Sequence, residues 1–467
     1  MKIRVIKLRE TLSLLGPVVP RKPSLPILSS VLVKEGQVTA TDLETAVSIG
    51  MPEAEEPMLL PYHQVMELLK HVPGDEVLTA GAEKNKLTLS WSGGKAAFLT
   101  KSPESYPPPR EVKPKAEHSV EGDDLVSALV SASGYSATET SRPVLTGVFL
   151  TLGETVEVAA SDGFRMACQQ VSGVGFQVEG VKHAVIPSRT VRILGELWER
   201  SPKAAPVGDS LIRVLVSKRK LELAIGEQTV RASFGEVTVV ARLIQGTPPD
   251  YKALIPETPA HSIRVFAPDM QHALRRVRNV AQEGSGIVRL AWADGSLTVS
   301  SQSIDAGEVE AVIPVEVLAG GSGRVAANVV YLLNYFREKQ GFATIGTSGA
   351  GPVMLRDNSS LLVLVMPMAV KWDGDAEAKP AQASPAAPSA PQPAPQPEEE
   401  VAFGKQEPAQ DQKVENRATP TAEKAVKKVT AKRAGKRKGN QQLRNHRVSQ
   451  HKWRDPDSER EQRFHTK

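Results

Sequence analysis

Chemistry is sparse in this chain of 467 residues. Residues 320–323 (GGSG) have the glycines of a phosphate-cradling loop, but no Lys-Ser/Thr follows to reach a phosphate or its metal ion. The nine histidines show no HExxH or comparable zinc spacing, and no Gly-x-Ser-x-Gly elbow presents a nucleophilic serine. Asp42 and Asp162 would make a nuclease only if their carboxylates converged on shared metal ions, and an internal repeat puts them in equivalent places of separate domains. Cys168 is the single cysteine, which leaves no disulfide framework and no Cys-based zinc cluster and makes the cytoplasm the expected compartment. The expectation is a protein that is not an enzyme, holds no metal and uses no cofactor.

What remains is charge. The chain carries 58 Lys+Arg against 53 Asp+Glu, but residues 373–467 hold 19 against 14, so residues 1–372 are balanced at 39 of each. Polyanion binding by the body therefore requires basic side chains segregated onto one face. Beyond Trp372 the composition turns to Ala, Pro and Gln, with too few large apolar side chains to offset the entropy of ordering, so residues 373–467 are expected to be a disordered tail. Within it, residues 424–454 carry 12 basic and no acidic residues, a composition suited to polyanions or simply to solubility. Lys2, Arg4 and Lys7 interrupt the first eight residues and no run approaches membrane-spanning length, so neither secretion nor membrane insertion is expected.

The elements that would position such charges recur three times. Each copy opens on an amphipathic helix: Leu8, Leu12 and Leu15; Leu125 and Leu129 behind Asp123; Met270, Leu274 and Val277 behind Asp269, the aspartates suiting N-terminal caps. A strand pair follows, residues 26–33 (PILSSVLV) matching 143–150 (PVLTGVFL) and 38–42 (VTATD) matching 158–162 (VAASD), with a weaker copy at 286–301 turning on Asp294-Gly295. A second helix comes next, over 62–70, 188–198 and 327–336, the last with Val330, Leu333 and Phe336 inward; short alternating strands close each copy. Two helices on one face of an antiparallel sheet make an α+β unit, and three such units in series tend toward an arc.

Taken in order, these fragments resemble the bacterial DNA polymerase III beta subunit, the replicative DNA sliding clamp. The resemblance runs through residues 25–28 (LPIL) with 40–43 (ATDL), 142–147 (RPVLTG) with 160–166 (ASDGFRM), 249–251 (PDY), Asn328 with Tyr331 (NVVY) and 365–368 (VMPM), across roughly residues 1–370. It implies three similar clamp domains, at 1–115, 116–256 and 257–372, forming half of a ring. The implied whole is a head-to-tail homodimer with its helices facing duplex DNA and a continuous sheet outside. A clamp loader would open it, and the DNA polymerase III catalytic subunit and other polymerases would ride on it. An alternative is a diverged clamp paralogue that serves as a scaffold in repair.

The resemblance also implies sites. The DNA-facing helices carry Lys7, Arg9, Lys70, Arg189, Arg192, Arg275, Arg276, Arg278 and Arg337, with Lys22 on the loop after the first helix. A partner-peptide pocket between the second and third domains would comprise Leu145, Ser161, Gly163, Phe164, Arg165, Met166, Pro249, Leu254, Asn328, Tyr331, Leu364, Val365, Met366, Pro367 and Met368. On their own, methionines on a last strand are ordinary core packing. The dimer interface would involve Ala97, Leu99 and Val280. Departures from the family pattern are Phe164 for the commoner histidine, Ala253 and Ala369 where arginine is frequent, Ser285 for an aromatic, and Glu139 at a position expected to be neutral. The tail is expected to leave beside the pocket.

Overall fold

The computed structural model describes residues 1–172, 182–201, 219–337 and 339–372. The expected disordered tail, residues 373–467, and its basic run lie outside the described residues. Among the described residues six α-helices form: α1 (Val5–Leu15), α2 (Tyr62–His71), α3 (Gly122–Ser133), α4 (Ser188–Arg200), α5 (Ala267–Glu283) and α6 (Val329–Phe336). They pack in pairs, α1 with α2, α3 with α4 and α5 with α6, and each pair lies on strands of its own repeat. Leu8, Leu12, Leu15, Leu125, Leu129, Met270, Leu274 and Val277 are all buried, as their helical spacing predicts. None of these helices is long and apolar enough to cross a membrane.

Three local expectations are corrected. Asp123 and Asp269 do not cap their helices, because strands Ala116–Glu121 and His261–Phe266 run straight into them and leave Glu121 and Phe266 at the cap positions. Asp123 instead accepts hydrogen bonds from Trp198 Nε1 (2.9 Å) and Arg219 Nη2 (2.6 Å). Residues 26–33 and 143–150 are strands only in their second halves; Pro26–Ser29 and Pro143–Thr146 are 3₁₀ turns, where the proline ring fixes φ and lacks a ladder donor. In α6 the inward face is one residue out of phase with the spacing expected above. Strand Gly323–Asn328 carries the chain to Asn328, whose side chain accepts the Val330 N–H (2.9 Å), and the helix starts there. Val329, Leu332, Tyr335 and Phe336 are therefore buried, while Val330 is exposed. The Asp294-Gly295 turn does form, both residues at positive φ (49° and 78°) as its tight hairpin requires.

The sheets join the repeats. Antiparallel strands make sheets of four, eight and twelve. In each of two joints, the strand after the aspartate loop of one repeat pairs with the last strand of the next. Thr45–Gly50 pairs with Val237–Arg242, Ala46 opposite Val240; Arg165–Val171 pairs with Leu362–Val365, Met166 opposite Leu364. The third repeat's equivalent strand, Gly307–Ala319, pairs through residues 307–314 with Ser296–Ser303 and through 315–319 with His261–Phe266. The main apolar core lies between helices and sheets. A second cluster sits at the second joint and includes Phe149, Met166, Tyr251, Met354 and Leu364, Tyr251 stacked on Phe149 at 6.5 Å.

Candidate functional site

The loop between strands Val156–Ser161 and Arg165–Val171 is built by its own polar groups. Asp162 Oδ1 accepts the N–H groups of Phe164 and Arg165 (2.9 Å each), an arrangement that lets a short side chain stand in for a backbone turn. Ser161 Oγ accepts from Gly163 N (3.0 Å) and donates to Arg165 O (2.9 Å). Gly163 sits at φ 91°, where a side chain would be strained, and Phe164 is left 64% exposed at the tip.

Arg165 joins two repeats. Its Nε donates to Asp162 Oδ2 (2.9 Å) and its Nη2 to Gly134 O (3.2 Å), while the guanidinium carbon lies 5.1 Å from the Tyr135 ring centre and 4.8 Å from that of Tyr331 on α6. Sandwiched between two π-faces and neutralised by Asp162, the cation is held at a site where it is mostly covered. Burial pushes the Tyr135 phenol up to about 12 and raises that of Tyr331 as well, so both stay neutral rings beside the cation. Beside this stack opens a cleft of about 600 Å³, whose walls include Leu145, Phe164, Arg165, Tyr331, Glu139 and Arg142. Its chemistry is that of a docking site: aromatic and aliphatic walls, a few fixed polar groups and a cation.

Of the expected pocket residues, Leu145, Gly163, Phe164, Arg165 and Tyr331 line this cleft together. Met366 is tied to its edge by a hydrogen bond from Met366 N to Phe164 O (2.9 Å) and is 43% exposed. Met166, Leu364 and Val365 are not pocket surface; they are buried, the first two in the small core at the joint. Ser161 is consumed in the turn and Asn328 in capping α6. Pro249 and Leu254 are exposed but stand outside the lining, and Pro367 and Met368 lie half-buried in the segment after the last strand. Sequence reasoning missed Tyr135, Asp162 and Arg142, which become neighbours only when the segment after α3 meets the second joint.

The cationic side chains divide. Arg192, Arg275 and Arg276 are exposed on α4 and α5, and Lys22 on its loop; none has an acidic partner among the described residues. Arg9 is half-buried, Arg278 donates to Gln282 (3.1 Å) and Arg337 to Asn334 (3.3 Å). Three others already have carboxylates: Lys7 with Glu53 (2.5 Å), Lys70 with Glu67 (2.6 Å) and Arg189 with Asp42, Arg189 also donating to Pro17 O (3.3 Å). Of the expected interface residues, Ala97 and Leu99 are exposed, Leu99 at 87%, but Val280 is 8% exposed because α5 packs it against its own repeat, so it has little side chain to offer a partner.

Residues 121–250 match the central domain of the DNA polymerase III beta subunit and residues 252–367 its C-terminal domain, together just over half of the chain. The beta sliding clamp of Pseudomonas aeruginosa is 27% identical over 375 residues, spanning 77% of this chain and 97% of that protein. A solved DNA polymerase III beta-subunit sliding clamp from the same organism, bound to griselimycin, superposes with a TM-score of 0.68 at 23% identity, covering 79% of this chain and 99% of that one. The corresponding clamp from Bartonella birtlesii, also bound to griselimycin, gives 0.70 at 20% identity with the same coverage. The likeness to these structures is one of fold.

Proposed function

The chain belongs to the DNA polymerase III beta-subunit family, and on that ground we propose that it is a DNA sliding clamp, a non-catalytic processivity factor of the cytoplasm. It encircles duplex DNA as a head-to-tail homodimer, is placed there by a clamp loader, and tethers the DNA polymerase III catalytic subunit and other polymerases through the cleft beside Arg165. Arg192, Arg275, Arg276, Arg278, Arg337, Arg9 and Lys22 face the phosphates, attracting without reading sequence. We propose this cleft as the site for griselimycin, which two solved clamps of this fold bind.

One observation carries ring closure. The same strand joint occurs twice, and among the described residues one half of each kind is left unpaired: the edge strand Gly94–Leu99, equivalent to Val237–Arg242 and Leu362–Val365, and residues 307–314 of Gly307–Ala319, equivalent to Thr45–Gly50 and Arg165–Val171. Both halves expose apolar side chains that isolated edges rarely carry, Leu99 at 87% on the first, Val312 at 56% on the second and Ile304 fully exposed on the loop before it. A third joint between two copies, head to tail, covers them and closes the ring. Light scattering should give about twice the 50.3 kDa chain mass. Leu99→Asp should halve it, since an exposed side chain is removed without touching the core. Loading on nicked circular DNA, followed by release on linearisation, tests encirclement; a monomeric wild type, or retention that ignores linearisation, rejects the reading.

A further inference from the structure

The chain does not stop at the last strand. Beyond Val365, residues 366–372 run without regular structure along strand Gly323–Asn328, which among the described residues has a strand partner, Ile287–Ala293, on one side only. Met366 N donates to Phe164 O (2.9 Å), and Met368 N donates to Ala326 O (2.8 Å). Farther on, Arg289 Nη2 donates to Lys371 O (3.2 Å) while its Nη1 holds Gln302 (3.0 Å), and the Arg324 guanidinium lies 5.2 Å from the Trp372 ring centre. The order of contacts, Phe164 then Ala326 then Arg324, runs away from Asn328 and Tyr331. By Trp372 the segment therefore runs along the strand and does not enter the cleft.

We propose that this Trp372 latch is a positioning device for the docking cleft, an inference that rests on the docking reading above. Met366 stands next to Phe164 at the cleft edge, and its position depends on a segment with few backbone ties. Among the described residues, the hydrogen bonds at 366 and 368 are followed only by the Arg289–Lys371 contact and the ring stack. A half-exposed indole on a guanidinium is a surface contact of modest strength, able to open without unfolding the core. When it opens, residues 367–372 fray and Met366 and Met368 lose their fixed places. Trp372 thus couples to whatever occupies the cleft, and by reciprocity the occupant tightens the latch.

Griselimycin serves as the probe, titrated calorimetrically into the full-length chain. Tyr331→Ala, in the cleft wall, should abolish or strongly weaken binding. Trp372→Ala should weaken it about fivefold with the melting temperature unchanged, and Trp372→Phe, which keeps an aromatic face for the cation, should restore most of it. Griselimycin should also slow tryptic cleavage after Lys371 in the wild type but not in Trp372→Ala. Binding that is lost in Tyr331→Ala yet unchanged in Trp372→Ala overturns the latch and leaves the docking reading standing. No binding to the wild type, or binding indifferent to Tyr331→Ala, overturns both.

Discussion

The two joints between repeats use one design for opposite ends. In the first, Asp42 Oδ1 accepts the N–H groups of Glu44 (3.1 Å) and Thr45 (2.7 Å), the same turn that Asp162 makes with Phe164 and Arg165. The difference lies in the side chains that the turn presents to the neighbouring helix. Thr45 occupies the place of Arg165, and Thr190, third residue of α4 after its cap, occupies that of Tyr331 in α6. The two threonine hydroxyls hydrogen-bond at 2.7 Å and are almost completely buried, where the second joint has a guanidinium on a phenol ring. Arg189 spans to Asp42 and Pro17 O, and Arg200 donates to Ser13 O (3.1 Å) and Ser13 Oγ (2.7 Å), so the helix side of the first joint is locked. The small pair goes with a cleft of about 340 Å³ at the first joint, lined by Leu43, Glu44, Ala46 and Val240 among others; the large pair goes with the cleft of about 600 Å³ at the second.

The largest expected effect comes from moving the large pair into the first joint. Thr45→Arg with Thr190→Tyr forces two large side chains into places where the threonines are almost completely buried, and sets a cation beside Asp42, which Arg189 already engages, so unfolding stability should fall by about 3 kcal/mol or more. Urea denaturation of the full chain measures it. A double variant as stable as the wild type would mean that the joints are interchangeable and that the size of this pair does not set how they pack.

Much of this comparison was visible in the sequence, since VTATD and VAASD announce equivalent loops and the helical stripes predict the packed faces. What could not be read is which strands meet across the repeats. Ala46 and Val240, or Met166 and Leu364, are nearly two hundred residues apart, and each strand's alternation is compatible with many partners. The same limit explains the pocket residues that proved to be core: Met166 and Leu364 lie on the face that the joint closes, and only the register reveals that. Lys7 and Arg189 read as free cations because Glu53 and Asp42 reach them only through tertiary contact, whereas Lys70 pairs with Glu67 three residues earlier on the same helix, a spacing that the sequence does display. The α6 phase error was local, the choice of Ala327 instead of Asn328 as the point where a strand becomes a helix.

A smaller effect separates the loop tips. Leu43 adopts φ 80° where the second loop has Gly163 at 91°, so the first joint holds a branched side chain in a region that favours glycine. Gly163→Leu should cost roughly 1–2 kcal/mol; the space is adequate, the nearest atoms to an added Cβ being Arg142 Nη1 at 3.8 Å and Leu145 Cδ1 at 3.9 Å, so the cost is conformational. Leu43→Gly should stabilise by less than about 1 kcal/mol, because relief of strain is partly offset by the looser unfolded chain. Thermal or urea unfolding of both variants measures the pair, and equal and opposite changes would show that the two loops are strained alike.

The smallest effect on stability distinguishes lock from DNA face. Arg189→Gln breaks a pair whose arginine is about half exposed, so solvent screening limits the loss to under about 1 kcal/mol. Because the side chain is engaged by Asp42 and Pro17, it contributes little to phosphate binding, and the salt slope of binding to short duplex DNA should stay as in the wild type between roughly 50 and 200 mM. Arg275→Gln, on the exposed face of α5, should leave stability unchanged and lower the slope by up to about 0.9 for each phosphate that it no longer neutralises. If Arg189→Gln lowers the slope as much as Arg275→Gln does, the ion pair exchanges freely with phosphate and the first joint is part of the DNA surface, not a lock.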